Sequence, residues 1–380
     1  MTIVFALTVL LFLYTMIGYP ILLDRLARRY RRPVRKDSSL TPSVTVLIPV
    51  RNGGNWIKRK LESVLALDYP RELLDVLVVS DGSTDSTEEI AAQFAPQGVR
   101  LIRIPPGGKP AALNAGRRQA TGEIILFTDV RQEIEAGSLR KLVACFADPT
   151  VGVVSGDVII RQSGRETENH VGFYRKFETR MRDSIGELDS MFGAQGAFYS
   201  MRRELTVDIP HQILLDDMYQ PLSAFVQGYR LIMEMEAVSF DEPVGLDSEF
   251  WRKVRTLAGN YQILAAYPVM WTPGKRLWWH FLSYKVARLL LPFLLIVIAI
   301  SSFYLPAPFL YLALAGQVAL YGAALVDRLI PEGGPIKKLT SAAATFLVMM
   351  AAAFCAPFMT FLSREKLWRP TAVEAGSASK

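Results

Sequence analysis

The sequence has few of the residues that most often hold disulfides and transition metals, with 2 cysteines and 3 histidines among 380 residues. Two cysteines cannot build a disulfide framework, so the small secreted disulfide scaffolds are excluded. His170, His211 and His280 have no metal-ligand spacing, which excludes the common zinc motifs. We therefore interpret Cys145 and Cys355 as core or lipid-facing residues.

Charge is also missing from three long stretches, at residues 2–23, 289–326 and 339–363. About 20 consecutive apolar residues are enough to cross a bilayer as a helix. The first stretch has no basic segment before it and no small-residue cleavage site after it, so we predict a retained anchor at residues 1–24. We further predict an interfacial segment at 273–288, three spans within 289–363, the first two divided near Pro306 and Pro308, and a tail at 364–380.

A basic segment follows the anchor within residues 25–41, and its basic residues are Arg25, Arg28, Arg29, Arg31, Arg32, Arg35 and Lys36. Short basic flanks stay on the cytoplasmic side of a membrane, which places the domain at residues 42–272 in the cytoplasm, at a bacterial inner membrane. The segment contains a single aromatic residue, so we expect a solvated linker beside membrane lipids and no nucleic-acid partner. The spans carry no ionisable residues of the kind that line a substrate path, which argues against a transporter.

Residues 42–272 alternate between two periods. Short β-branched runs such as SVTVLIPV, DVLVVSD, VRLIRIP and EIILFTD predict strands. The segments between them, NWIKRKLESVLAL, STEEIAAQFA and KPAALNAGRRQA, repeat apolar residues at helical spacing, as does AGSLRKLVACFA after the last. This alternation predicts an α/β domain with a mostly parallel sheet, whose ligands lie at the carboxyl ends of the strands.

Two acids mark strand ends in this domain. Asp81 ends DVLVVSD and Asp129 ends EIILFTD. Each acid could instead cap a helix. The segment of Asp81 would cap the helix that starts near Ser86, and Asp129 would cap the helix near Gly137, an alternative that is weaker because several residues separate the two. Lys109 and Asn114 follow the loop PPGG, where a cation and helix amides could meet a phosphate. Together these residues indicate a pocket at one edge of the sheet.

The segments VTVLIPVRNGGNWIKRKLESVLALDYP, LLDVLVVSDGSTDSTEEIA and GKPAALNAGRRQATGEIILFTD resemble the nucleotide-sugar half of a family-2 inverting glycosyltransferase of the Rossmann-like GT-A fold. Further blocks follow in the family's order: GAQGAFYSMRRE, LLDDMYQPLSAFVQGYRLIMEMEA and EFWRKVRTLAGNYQIL. The chain then enters a membrane region, as in the membrane-bound members that make cell-surface polysaccharides.

The resemblance implies a donor site. Asp81 and the backbone around Pro49 and Arg51 would face the base and ribose of the nucleotide, with Lys109 nearby. Asp129 matches the first acid of the family's metal-binding D-x-D, which implies Mg²⁺ or Mn²⁺ as cofactor. Arg131 stands where the second acid would be, so either the metal loses one ligand or a guanidinium shares the charge of the diphosphate.

The resemblance also implies catalytic groups. Asp216 and Asp217 occupy the family's acid pair, and Asp217 is the predicted base, although acids at the start of a helix also serve as ordinary capping residues. The loop with Gln195 and Gly196 would contact the donor sugar or the acceptor, although its glycines also suit a simple turn. Arg252 and Arg255 match the family's R-x-x-R pattern. They could clamp the diphosphate or form a solvated basic face. Thr256 replaces the tryptophan that follows in processive members, so the pattern does not decide between processive and single transfer.

The predicted function is inverting transfer of a sugar from a nucleotide-sugar donor, most simply a UDP-sugar, to a lipid-linked or growing glycan at the membrane. One alternative is a polyprenyl-phosphate glycosyltransferase that makes a single transfer. Another is a nucleotide-sugar-binding scaffold with impaired catalysis, which the departures at Gly53, Gly54, Arg131 and Thr256 leave open.

Overall fold

A computed structural model describes residues 1–160, 167–242, 246–331 and 334–360. The chain divides into two units. The sheet unit comprises Leu26–Arg161 and Thr179–Glu242, and the helical unit comprises Met1–Arg25, Gln162–Glu178 and Pro243–Lys380. The predicted tail at residues 364–380 lies outside the described residues.

The strands are β1 Val44–Val50, β2 Leu74–Asp81, β3 Val99–Ile104, β4 Ile124–Thr128, β5 Glu133–Ile134, β6 Val151–Ile160, β7 Phe198–Arg202 and β8 Arg230–Asp241. The helices before residue 160 are α1 Thr2–Leu13, α2 Tyr19–Arg29, α3 Gly54–Leu65, α4 Thr87–Ala92, α5 Lys109–Gln119 and α6 Ser138–Ala144. The later helices are α7 Thr167–Leu188, α8 Asp216–Val226, α9 Leu246–Ala266, α10 Trp278–Phe281, α11 Ala287–Ser302, α12 Phe309–Val326 and α13 Pro335–Met359.

The eight strands form one sheet in the order β3-β2-β1-β4-β7-β6-β8-β5. β1 pairs in parallel with β2 and β4, and β2 pairs in parallel with β3. The alternating sequence pattern predicts this half of the sheet, and the prediction is confirmed. The other half is mixed, because β7 runs antiparallel to both β4 and β6 while β6 pairs in parallel with β8.

The loops after β1 and β2 are fastened to each other at the carboxyl edge of the sheet. Asn52 has a positive φ of 52° and accepts a hydrogen bond from the amide of Thr84 at 2.8 Å. The amide of Gly54 donates to Asp85 at 2.9 Å, and a Cβ at Gly54 would lie 2.7 Å from the Oγ of Ser86. The glycines of this segment therefore allow the close approach of two loops that border the predicted nucleotide site.

Three charges of the basic segment are paired within the sheet unit. Arg31 contacts Glu187 at 2.7 Å, Arg32 contacts Asp189 at 2.7 Å, and Lys36 contacts the buried Glu234 at 2.5 Å. A buried arginine at the start of β8, Arg230, also donates to the carbonyl of Arg32 at 2.8 Å. This part of the predicted linker is thus folded onto the sheet unit.

The helical unit contains the apolar stretches predicted from the sequence. Four described helices are long and apolar enough to cross a membrane, namely Thr2–Arg29, Trp278–Ser302, Phe309–Leu329 and Pro335–Met359. The second and third are separated at Phe303–Pro308, where the prolines predict a break. The second begins at Trp278, so part of the predicted interfacial segment is helical.

Candidate functional site

A mostly buried lysine joins two acids at the carboxyl edge of the sheet. Lys109 is the first residue of α5, and its Nζ lies 2.8 Å from Asp129, just after β4, and 3.1 Å from Asp216, the first residue of α8. Burial alone lowers the pKa of Lys109, but the negative charges of Asp129 and Asp216 outweigh it and raise that pKa above its usual value. The structure therefore brings together three residues predicted from separate motifs.

Asp217 completes this acidic group. Its side chain keeps some solvent access, but burial of the carboxyl, reinforced by the charge of Asp216, raises the pKa of Asp217 to about 6. The positive charge of Lys109 acts in the opposite direction and limits the rise. A carboxylate with this pKa is ionised at neutral pH and is still basic enough to accept a proton during a reaction.

The predicted glycine-rich loop packs directly against Asp217. The amide of Ala194 donates to the carbonyl of Asp217 at 2.9 Å, and the amide of Gln195 donates to Ser155 at 2.9 Å. A Cβ at Gly196 would lie 2.7 Å from the carboxylate Oδ2 of Asp217. Gly196 therefore leaves the space in which this carboxylate sits, which a simple turn would not require.

Asp81, the acid at the end of β2, holds the loop that leads to Lys109. Its carboxylate accepts hydrogen bonds from the amides of Gly107 at 2.6 Å and Gly108 at 2.9 Å, and it is buried. Arg51 is exposed, with a guanidinium nitrogen 3.9 Å from Asp81, and Pro49 lies in β1 opposite Val79 of β2. The structure thus groups the predicted nucleotide-facing residues. Asp81 also orders the loop that contains Gly107 and Gly108.

The side chain of Arg131 is paired with an acid of the sheet unit. Its Nε lies 2.8 Å from one carboxylate oxygen of Asp241 and its terminal nitrogen lies 2.9 Å from the other. Asp241 is the last residue of β8, and both side chains are mostly buried. This two-point geometry is the strongest form of an arginine–carboxylate contact. In this arrangement the guanidinium of Arg131 binds Asp241.

The donor set for a divalent cation is small. Within the part of the chain that the structure describes, no three His, Cys, Asp or Glu side chains come together as a metal-binding group. Asp129 is 37% exposed and offers a single carboxylate, already in contact with Lys109. Mg²⁺ is commonly held by one or two carboxylates, substrate phosphates and waters. These residues therefore fit Mg²⁺ or Mn²⁺ when a diphosphate supplies the further oxygens.

The predicted arginine pair belongs to the helical unit. Arg252 and Arg255 lie on α9 and are half-buried, and the carbonyl of Arg252 accepts a hydrogen bond from Thr256 at 2.8 Å. Their contact with the diphosphate stays a prediction.

Two buried polar residues near the acids escaped the sequence analysis. Tyr199 of β7 stacks on Phe127 with ring centroids 4.7 Å apart, and burial, with the charges of three carboxylates, raises its pKa. Lys60 of α3 is fully buried, and burial lowers its pKa to about 7. A signal for Lys60 does exist, because Ile57, Lys60, Leu61 and Val64 share the apolar face of one helix.

Comparison with known proteins places this geometry in context. Residues 45–208 match the sequence pattern of glycosyl transferase family 2. Glycosyltransferase AglE of Haloferax volcanii is 36% identical over 210 residues, which is 53% of this chain and 67% of that protein. The probable glycosyltransferase YdaM of Bacillus subtilis is 32% identical over 129 residues, covering 32% of this chain and 31% of that protein.

Among solved structures, the chain is similar to a mannosyltransferase from Pyrobaculum calidifontis in complex with GDP-Man and Mn²⁺. The TM-score is 0.70, with 25% identity over 94% of this chain and 100% of that one. This likeness confirms the predicted GT-A fold.

Proposed function

The chain belongs to glycosyl transferase family 2, and from that premise we propose that its sheet unit transfers a sugar from a nucleotide-sugar donor to an acceptor hydroxyl with inversion at the anomeric carbon. The observation that carries the proposal is the acidic group around Lys109. Asp129, Asp216 and Lys109 are in contact beside Asp217, whose pKa is raised to about 6. A base and a phosphate-binding cation are the two groups that this transfer needs.

Asp217 acts as the general base. Its carboxylate takes the proton of the acceptor hydroxyl as the hydroxyl oxygen bonds to the anomeric carbon, and the bond from that carbon to the diphosphate breaks on the opposite face. The electron pair leaves with the nucleoside diphosphate. A divalent cation held by Asp129 would offset the charge of this leaving group. Lys109 contributes a positive charge beside Asp129 and limits the rise in the pKa of Asp217.

Two further observations support the proposed donor and acceptor. The similar mannosyltransferase binds GDP-Man with Mn²⁺. This supports a GDP-sugar as an alternative to the UDP-sugar that the sequence predicts. Four helices suited to a membrane support a lipid-linked or growing glycan as acceptor, at the cytoplasmic face of a bacterial inner membrane. Arg252 and Arg255 are proposed to bind the diphosphate.

Radiolabelled UDP- and GDP-sugars, supplied with bacterial lipid extract, test the acceptor. We expect label to move into the organic phase in the presence of Mn²⁺. One product of fixed mobility would support a single transfer to a polyprenyl phosphate, whereas a ladder would support chain extension. Label that stays entirely in water-soluble products would contradict the membrane acceptor.

The metal proposal predicts a specific loss for Asp129→Ala. Without this carboxylate no acid stands directly after β4, so the stimulation of turnover by Mn²⁺ or Mg²⁺ is expected to fall at least about 100-fold, because loss of a group that only orients a metal ligand already costs about 10- to 100-fold. Turnover measured against metal concentration checks it. A variant that keeps the wild-type metal response would show that the cation is held elsewhere.

Gly196→Ala is expected to lower kcat about 10- to 100-fold, because the added methyl would press on the Asp217 carboxylate and shift the base. The KM for the donor should change much less. Gly137→Ala is the matched control, since its Cβ would meet only the Cε of Lys141, at 4.0 Å. Equal kcat in the two variants would contradict the role given to Gly196.

A further inference from the structure

The loop that carries Asp129 runs from the end of β4 to the start of β5. It comprises residues 129–132, and its neighbours in the chain are Thr128 and Glu133. Gln132 is buried, and Val130 packs against the hydrophobic core. Asp129 is 37% exposed and faces Lys109. The loop therefore presents one acid to the site while the side chains around it turn into the protein.

Lys60 closes this loop from beneath. Its Nζ donates to the Oγ1 of Thr128 at 2.6 Å and to the carbonyl of Gln132 at 2.6 Å, so a single side-chain nitrogen joins the two ends of the loop. The side chain is fully buried, and both acceptors are uncharged. Burying an ionisable amine against neutral acceptors costs free energy. Stability alone therefore does not account for a lysine on the apolar face of α3.

Arg131 fixes the middle of the same loop from the other side. Its guanidinium makes the two-point contact with Asp241, whose position is set by the end of β8. A second brace lies next to it, because Arg59 of α3 contacts both Glu133 and Glu242. The loop is thus tied to α3 and to β8, two elements of the sheet unit.

We propose that Lys60 and Arg131 are positioning residues that hold the Asp129 loop in the shape that receives the metal-bound diphosphate of the donor. Arg131 then replaces the family's second acid with an internal brace rather than with a direct phosphate contact. The proposal rests on the donor-binding function above and adds to it the means by which a lone acid is kept in place.

The test compares both partners of the brace in the full chain, purified in detergent. Binding of UDP and of GDP is measured by calorimetry with and without Mn²⁺, for Arg131→Ala, Asp241→Ala and the double variant. Loss of a group that orients a metal ligand typically costs about 10- to 100-fold, so each single variant should weaken Mn²⁺-dependent binding by at least about 10-fold. The double variant should bind no worse than either single one, because both remove the same contact.

A remote pair of the same geometry provides the control. Arg100 of β3 contacts Asp75 through Nε at 2.8 Å and a terminal nitrogen at 2.6 Å. Arg100→Ala should leave nucleotide binding within about 2-fold of the wild type, since surface pairs away from a site contribute little. A loss equal to that of Arg131→Ala would mean that both changes act through general stability, and would overturn the proposal.

Lys60 is tested by two variants. Lys60→Met removes the side-chain nitrogen. Thr128→Val keeps the shape of the side chain at position 128 and removes one of the two oxygens to which Lys60 donates. Both should weaken Mn²⁺-dependent nucleotide binding, the first by at least about 10-fold, in line with lost ligand orientation. Thr128→Val protects the test if Lys60→Met fails to fold. Wild-type affinity in Thr128→Val would overturn the role of Lys60.

Three further results separate the possible failures. If Asp241→Ala binds as well as the wild type while Arg131→Ala binds weakly, Arg131 touches the diphosphate directly and the brace is wrong. If wild type and every variant bind equally, the positioning role alone fails. If the wild-type chain binds neither nucleotide, the proposed function fails, and the positioning role fails with it.

Discussion

Asp217→Asn is expected to lower kcat by about 10³-fold, within the range that a positioned general base contributes. The amide keeps the size of the side chain but cannot take the acceptor's proton. Asp217 lies beside the contact between Lys109, Asp129 and Asp216 and is not part of it, so nucleotide affinity should stay within about 3-fold. Single-turnover transfer and calorimetric binding of UDP and GDP measure the two quantities.

The pH dependence supplies an independent reading of the same group. Because the pKa of Asp217 is raised to about 6, its basic form is lost as the pH falls through 6, and wild-type kcat/KM should decline below that value. Residual turnover of Asp217→Asn should lack this decline. If the variant keeps more than about a tenth of wild-type kcat, Asp217 is not the base. If neither the wild-type protein nor Asp217→Asn shows turnover, the result would favour the alternative of a nucleotide-sugar-binding scaffold.

Lys109→Met is expected to damage both stability and catalysis. The substitution leaves Asp129 and Asp216 without the cation that joins them, which should cost about 2 to 3 kcal/mol of the free energy of unfolding, less than for a fully buried pair because Lys109 is 18% exposed. It also removes the charge that lowers the pKa of Asp217, so the acid limb of the pH profile should shift upward. Thermal unfolding and a pH–rate profile check the two effects.

A surface lysine gives the comparison for this variant. Lys141 contacts Glu135 at 3.3 Å with both side chains well exposed, and exposed pairs contribute about 0 to 1 kcal/mol. Lys141→Met should therefore change neither the midpoint of unfolding nor the pH profile by a measurable amount. An unshifted acid limb in Lys109→Met, with the protein folded, would contradict the electrostatic link between Lys109 and Asp217.

The sequence predicts the first half of the sheet because β1, β2 and β3 are each followed by a helix. The alternating period from Val44 to Gln119 determines parallel pairing, and the strand ends place Asp81 and Asp129 at one edge. The second half follows no such local rule. β7 enters between β4 and β6 with the opposite direction, and nothing in FYSMR distinguishes that position from an edge.

The candidate site divides in the same way. Motif order predicts Lys109, Asp129 and Asp216, and the structure places them in contact. The partner of Arg131 could not be predicted, because Asp241 lies 110 positions away and no period links the two. Lys60 was missed for a different reason, since a lysine within an apolar stripe is usually read as a residue that reaches toward solvent.

The most direct measurement is release of nucleoside diphosphate by the purified full chain in a membrane mimetic, screened over UDP- and GDP-sugars with bacterial lipid extract, with and without Mg²⁺ or Mn²⁺. The account predicts metal-dependent release from one donor that disappears in both Asp129→Ala and Asp217→Asn. Release that continues unchanged in Asp217→Asn, or no release from any donor despite measurable nucleotide binding, would contradict it.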